Sequence, residues 1–349
     1  MGGQVGLIAG ATGLIGRRVA SHLQNLGWKV IGLCRNPHTG GAVPLIGVDL
    51  TDAGDCRSKF VQLDGVTHVF YTARYDHPEG VAESVETNAL MLRNLVQAIE
   101  PAATGLRHIH VVHGTKYYGH HLGPMAVPAR EDDPRAPVPN FYYAQEDYLR
   151  ERQRGKRWTY STSRPHTFCS AAAGEQRNIG LLIAVYAAVQ RELGLPLSYP
   201  GTVKSFNVAT QFTALPLLVR ALTWMAAEPR CANQAYNVVN GDAPRWSDLW
   251  PRFAAYFGMP AGPAQPVRLA EYMADKDPVW QAVVRRHGLR PAALQSLVLW
   301  SYGNYVFAPE WDIISNMSKA RDHGFVDAVD SGKMFLDLFE YFRSEKIVP

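Results

Sequence analysis

The run Gly10-Ala11-Thr12-Gly13-Leu14-Ile15-Gly16 directly follows a short apolar segment, Val5 to Ala9, and opens a stretch of helical spacing, Leu14 to Leu26. This feature restricts the fold more than any other. Glycine is required where a backbone turns tightly, and again where a strand and the next helix approach too closely for a Cβ. The free N–H groups at the start of that helix, with their partial positive charge, favour an anion. In this strand–turn–helix setting the pattern predicts a dinucleotide pyrophosphate held by Gly10, Thr12, Gly13, Leu14, Ile15 and Gly16.

The segments that follow keep the alternation going. Lys29 to Leu33, Leu45 to Val48, His68 to Thr72, Arg107 to Val112 and Trp158 to Ser163 read as strands, and Glu83 to Ile99 as an amphipathic helix. The succession implies an α/β fold, a Rossmann doubly wound parallel sheet whose ligand lies at the carboxyl ends of the strands. After Pro165 the rhythm changes. Ile179 to Leu193 and Leu215 to Met225 read as helices, Thr202 to Asn207 as extended, and Tyr236 to Val239 as one more strand. From Pro244 onward the chain reads as mostly helical, with a proline-rich stretch at Pro260 to Pro266. The expected organisation is therefore interleaved. Residues 1–170 and 208–242 form the cofactor domain, and residues 171–207 and 243–349 form a smaller, mainly helical C-terminal substrate lobe.

The end of the second strand bears on which nicotinamide is bound. An NAD-binding protein usually places a carboxylate there for the ribose 2′-hydroxyl, but this chain has Leu33-Cys34-Arg35-Asn36. A guanidinium at Arg35 can pair with a 2′-phosphate, so Arg35 and Asn36 favour NADPH/NADP+. Asp49 and Leu50, after the third strand, stand where such folds often hold the adenine. A net charge of +4 spread over 349 residues suits a small anionic ligand and gives no basic patch for nucleic acid. Four separated cysteines form no metal-binding or disulfide pattern. The chain lacks an apolar run long enough to span a membrane, and Met1-Gly2-Gly3-Gln4 carries no leader pattern, so a cytoplasmic protein is expected.

Most short-chain dehydrogenases carry Tyr-x-x-x-Lys on one helix and a Ser or Thr near the fifth strand, the lysine easing proton exchange at the tyrosine. Here Glu146 stands four residues after Tyr142, and Gly114 occupies the usual hydroxyl position. A lysine occurs instead in His113-Gly114-Thr115-Lys116-Tyr117-Tyr118-Gly119, and Asn140-Phe141-Tyr142-Tyr143 opens the next helix. With Thr67-His68-Val69-Phe70-Tyr71, Tyr236-Asn237-Val238-Val239-Asn240-Gly241-Asp242, Asp277-Pro278-Val279-Trp280, His323-Gly324-Phe325 and Lys346-Ile347-Val348-Pro349, the chain resembles the progesterone 5β-reductase/iridoid synthase-like (PRISE) family of enone reductases along nearly its whole length.

That resemblance implies that Lys116 and Tyr142 are the catalytic pair, with Tyr142 also bordering the cofactor. It implies 1,4-reduction, with hydride delivered to the β-carbon of an enone or enal and negative charge developing on the carbonyl oxygen. A phenol and an ammonium aimed at that oxygen act as an oxyanion hole, worth roughly 3–4 kcal/mol per well-placed donor. Tyr143 is the alternative donor if the helix starts one residue later.

The resemblance frays in places. Pro165 and His166 stand where the family meets the nicotinamide, but His166 adds bulk, and packing suits it better than acid catalysis. Arg74 replaces a frequent Trp of the pocket wall, Thr213-Ala214 replaces a Ser-Asp pair, and Tyr302 is a candidate wall residue. The substrate is expected to be a small apolar enone, whether steroid, terpenoid or small cyclic compound, and a homodimer is compatible with the family. Two competing readings remain on the same fold: a nucleotide-sugar epimerase or dehydratase, and a non-catalytic NADP-sensing regulator.

Overall fold

Alternating burial explains how the first half of the chain becomes a two-sided sheet. In a computed structural model describing residues 3–37, 43–75, 83–172 and 174–349, β1 (Val5–Ala9) sends Ile8 to one face and Leu7 and Ala9 to the other. Ten further strands follow: β2 (Lys29–Cys34), β3 (Leu45–Gly47), β4 (His68–Tyr71), β5 (His108–Val112), β6 (Thr159–Pro165), β7 (Phe168–Cys169), β8 (Leu197–Tyr199), β9 (Thr213–Ala214), β10 (Gln234–Val238) and β11 (Ala261–Ala264). Six of them join β1 in one sheet, in the order β10-β6-β5-β4-β1-β2-β3, with every pair parallel. The order reverses between β1 and β4, which opens a crevice at their carboxyl ends. The fold is thus the Rossmann type expected.

Helices cover both faces. On one side α2 (Ala53–Phe60), α3 (Val85–Ala102) and α4 (Phe141–Arg152) pack in sequence, with Phe60, Leu92, Leu95 and Ile99 against Leu7 and Ile109. On the other, α1 (Leu14–Asn25) lies against the late helix Leu215–Ala227. The helix Ile179–Glu192 is buried without a break from Ile179 to Gln190, as befits a helix apolar on all sides. Helices Asp277–His287, Trp300–Phe307 and Ser331–Ser344 surround it. An aromatic cluster centred on Phe335, with Phe212 at 4.9 Å and Phe253 at 5.1 Å, belongs to the same continuous core as α1. Among the described residues no helix is long and apolar enough to cross a membrane, and all four cysteines are buried and free.

Two stretches depart from the sequence reading. Thr202 to Asn207 is not extended: Val203–Asn207 is a short helix, started by Thr202, whose Oγ1 accepts the Ser205 N–H at 3.0 Å and donates to Glu310 at 2.7 Å. The proline-rich stretch holds β11, which pairs with β8 in a separate two-stranded sheet. Neither short segment has the length to show a period.

The centre of the sheet carries an unusual polar row. His108 shares hydrogen bonds with Thr159 and Ser161, both at 2.8 Å, and His110 with Ser161 at 2.8 Å and Ser163 at 3.1 Å. His68 lies opposite His108 and bonds Thr67 at 2.9 Å. Burial, the largest cause in each case, pulls His68 down to about 4 and His110 to about 3 from an ordinary 6.5, and holds His108 well below that value. Unfolding frees these imidazoles to take protons near pH 6.5. Between that pH and about 4 the unfolded chain therefore binds more protons, and stability falls as pH falls, by about 1.4 kcal/mol per pH unit for each group. Urea unfolding at pH 7, 5.5 and 4.5 should show this steep loss; a flat profile would contradict it.

Candidate active site

The turn after β1 is built from backbone alone. Gly10 has φ +81, and a Cβ there would lie 3.0 Å from the backbone of Ala73. The Gly10 and Ala11 N–H groups donate to the Leu33 carbonyl, both at 3.1 Å, which closes the turn against β2. A Cβ on Gly16 would come within 2.2 Å of the Gly10 carbonyl oxygen, so the helix can approach the strand only without one. Gly13 caps α1 without a side chain, Thr12 and Gly13 are exposed, and Leu14 and Ile15 turn their side chains toward the core. What remains for a ligand is a row of N–H groups at a helix start, a cradle that fits a pyrophosphate.

Arg35 and Asn36 are exposed just beyond β2, and Asp49 is exposed beyond β3. The Asp49 carboxylate accepts from the Thr51 hydroxyl at 2.7 Å and the Thr51 N–H at 2.9 Å. These bonds hold it below the usual carboxylate range, with a smaller contribution from the Arg35 cation, which places Arg35 and Asp49 on one edge. Leu50 differs from its neighbour. Its side chain is buried in the core and its carbonyl accepts from Asn94 at 2.9 Å.

Lys116 and Tyr142 come from separate segments that one side chain ties together. Lys116 lies in a 3-10 turn, Thr115–Tyr118, just past β5, and Tyr142 in the first turn of α4. Asn140 joins them: its Oδ1 accepts the Tyr142 N–H at 2.9 Å, and its Nδ2 donates to the Lys116 carbonyl at 3.1 Å. The Tyr142 ring stacks on His113 at 4.7 Å. Its hydroxyl lies 3.2 Å from where a Cβ on Gly114 would be, so a Ser or Thr there would press on the phenol. Burial raises the Tyr142 pKa, the Glu83 carboxylate adds to the rise, and Arg74 partly offsets it. The phenol is a protonated donor at neutral pH.

Glu83 is the hub of the surrounding charges. Its Oε1 takes the Lys116 ammonium at 3.4 Å and the Arg74 guanidinium at 3.1 Å. Tyr305 closes the far side, its ring centre 5.8 Å from Lys116 Nζ and 6.4 Å from the Tyr302 ring, nearly parallel to it. Arg74, Lys116, Tyr142 and Tyr302 thus share one neighbourhood with two residues that the sequence reading missed. Tyr305 had a usable signal, since it lies three residues after Tyr302 on one helix face. Glu83 had none.

Tyr143, the alternative donor, is committed elsewhere. Its hydroxyl donates to the Tyr117 carbonyl and accepts the Ala136 N–H at 3.0 Å. Glu146 is buried, accepting from Tyr117 at 2.6 Å and Arg135 at 3.2 Å, with Arg164 at 3.6 Å. Pro165 ends β6, and the buried His166 bonds Thr115 Oγ1 through Nδ1 at 2.6 Å. Burial pulls His166 down to about 4, so it is neutral and packed. Among the described residues no cluster of His, Cys, Asp and Glu could hold a metal.

Comparison with known proteins follows the same lines. The model of a PRISE-like Rossmann-fold domain matches residues 47–349. A 3-oxo-Delta(4,5)-steroid 5-beta-reductase from Arabidopsis thaliana is 33% identical over 366 residues, covering 99% of this chain and 93% of that protein. An (S)-8-oxocitronellyl enol synthase from Camptotheca acuminata is 32% identical over 370 residues, with coverage of 99% and 93%. A solved UDP-glucose 4-epimerase from Thermotoga maritima superposes with a TM-score of 0.66 at 16% identity, covering 98% of this chain and 99% of that one, and shares the fold alone.

The cradle and the Arg35 edge each yield a test by fluorescence titration with NADPH. Gly16→Val should abolish binding, because its side chain meets the Gly10 carbonyl. Arg35→Asp should weaken NADPH at least tenfold relative to NADH, about 1.4 kcal/mol, by placing a carboxylate where a 2′-phosphate would sit. Unchanged preference would remove Arg35 from the cofactor edge.

Proposed function

The chain belongs to the PRISE-like Rossmann-fold family, and from that premise we propose that it reduces the carbon–carbon double bond of an activated enone or enal, with Tyr142 and Lys116 as donors to the carbonyl oxygen. It is an oxidoreductase, and its cofactor is NADPH. The observation that carries the reading is the half-buried Tyr142 phenol, its pKa raised and its hydroxyl at the Gly114 edge, with Lys116 in the same charge cluster.

With its pyrophosphate held at the glycine turn, NADPH would supply the hydride that the β-carbon accepts. Every other task falls to the protein. Tyr142 donates its hydroxyl proton in a hydrogen bond to the oxygen on which charge develops. Lys116 adds a cation beside it, and both are positioned before the substrate arrives by the Asn140 bridge. Pro165 and His166, at the end of β6, would hold the nicotinamide, and Asp49, with the backbone at Leu50, would hold the adenine. Water then protonates the α-carbon. No relay through a Tyr-x-x-x-Lys pair is needed, in keeping with a Glu146 turned into the scaffold. The same fact disfavours epimerase or dehydratase chemistry, which would want that lysine.

Residues 171–207 and 243–349 supply the substrate wall in this reading, through Tyr302 and Tyr305, while residues 1–170 and 208–242 hold the cofactor. An apolar cleft with aromatic walls suits steroid, terpenoid and small cyclic enones.

Protein, NADPH and 2-cyclohexenone should together consume the reduced cofactor and yield cyclohexanone. Tyr142→Phe should lower kcat by about 10²–10³ while NADPH titration is unchanged. Full turnover in that variant would show that the assigned donor is wrong.

A further inference from the structure

Asn140 fixes where Tyr142 leaves the backbone, but a phenol still turns about the bonds of its own side chain. Among the described residues no protein group hydrogen-bonds its hydroxyl, so the direction of the ring is left to packing. Two rings lie against it. Phe141, its chain neighbour, has its ring centre at 4.3 Å with the planes tilted by 57°. His113 lies at 4.7 Å with the planes 30° apart, a stacked arrangement. His113 directly follows β5, and its N–H donates to the Ser163 carbonyl of β6 at 2.8 Å, so its backbone continues the ladder of the sheet. Phe141 moves with the tyrosine on α4, whereas His113 ties the ring to the sheet.

Stability does not explain a histidine here. The residue is 3% exposed, and both ring nitrogens are buried without a hydrogen-bond partner among the described residues. A buried donor or acceptor left unpaired is costly, and a hydrocarbon side chain would avoid that cost. Burial, the largest cause, and the Arg164 cation of β6 hold the imidazole neutral, with its pKa well below 6.5. Arg135 adds to this, and Gln145 of α4, which faces the ring without completing a hydrogen bond, works against it. What the site obtains is a thin, flat, uncharged plate. Room is tight beside it: a Cβ on Gly114, the next residue, would already lie 3.2 Å from the Tyr142 hydroxyl oxygen.

We propose that His113 is a positioning residue for the reduction: stacked on Tyr142, it carries the position of the β5 end to the phenol and aims the hydroxyl at the oxygen on which charge develops. Aromatic pairs prefer offset parallel faces at this spacing, so the stack selects one direction for the ring. An oxyanion hole is effective when its donors are aimed in advance. What the hydroxyl does once aimed rests on the enone-reductase reading; the hold on the ring does not.

His113→Leu keeps bulk and removes the flat face, and His113→Phe restores a flat face without nitrogens. With the full chain, NADPH and 2-cyclohexenone, His113→Leu should lower kcat about tenfold, while KM for the enone and NADPH affinity stay within about twofold. His113→Phe should recover most of that loss. In a Tyr142→Phe background His113→Leu should cost nothing further, because no hydroxyl is left to aim. Unchanged turnover in His113→Leu overturns the proposal, as does a loss that multiplies with Tyr142→Phe or falls on KM alone. Circular dichroism checks folding, and His113→Met takes the place of a leucine variant that does not fold. A second readout needs no substrate. With 3,5-difluorophenylalanine at position 142, the fluorines lie on opposite ring edges, and their NMR resonances should stand further apart in the parent than in His113→Leu, where the ring turns freely. Equal separations also overturn the proposal. If the separation falls in His113→Leu but no protein reduces the enone, the hold on the ring stands and the assigned reaction falls. If the enone is reduced and the separation is unchanged, the reverse holds.

Discussion

The carboxamide of Asn140 accepts from the N–H of Tyr142 through one end and donates to the carbonyl of Lys116 through the other, across a separation of 24 residues. Because the group is planar and rigid, the distance between the 3-10 turn and the first turn of α4 is fixed by one side chain. A tyrosine at a helix start and a lysine in a loop would otherwise move independently, and an oxyanion hole gains its effect from donors that need no rearrangement. The cap also satisfies an N–H that the helix leaves unpaired, so local helix chemistry and the reacting edge share one interaction.

The loss of the usual lysine on α4 has a physical reason in the same region. Arg164 is buried at 1% exposure, its guanidinium lies 3.4 Å from the centre of the Tyr117 ring, and Glu146 is its carboxylate partner at 3.6 Å. Arg135 approaches Glu146 from the other side at 3.2 Å. Removing one member of a buried ion pair typically costs about 3–5 kcal/mol, and a cation in place of Glu146 would add repulsion to that loss. The α4 helix is thus committed to an anion at this position. Lys116 brings the positive charge from the β5 side, and Gly114 gives the phenol room to reach the same edge.

The nucleotide-binding half was legible because its signals are local. Glycines at fixed offsets and apolar alternation need no knowledge of distant partners, and the parallel order with its crevice followed from them. Lys116, Tyr142, Arg74 and Tyr302 could be placed at one edge from a family resemblance, and the structure brings them into one neighbourhood. Glu83 escaped because an acid read as the first residue of a helix carries no mark of the two cations it will meet. Tyr305 escaped because the aromatic segment was read for one residue instead of for a face. The short helix after Thr202 and the β8–β11 pair escaped for another reason: elements of three to five residues owe their form to caps and neighbours, not to periodicity.

The histidine–hydroxyl row between β5 and β6 sets more than stability. Thr159, Ser161 and Ser163 sit at every second position of one strand, and His108 and His110 bridge them in turn, like teeth meshing with a rack. A slip of one residue would point every hydroxyl to the opposite face and disengage the whole set at once. The two strands end at Val112 and Pro165, a few residues before Lys116 and immediately before His166. The row therefore works as an indexing gear: by locking how far each strand advances, it decides where the two tips emerge relative to each other at the reacting edge.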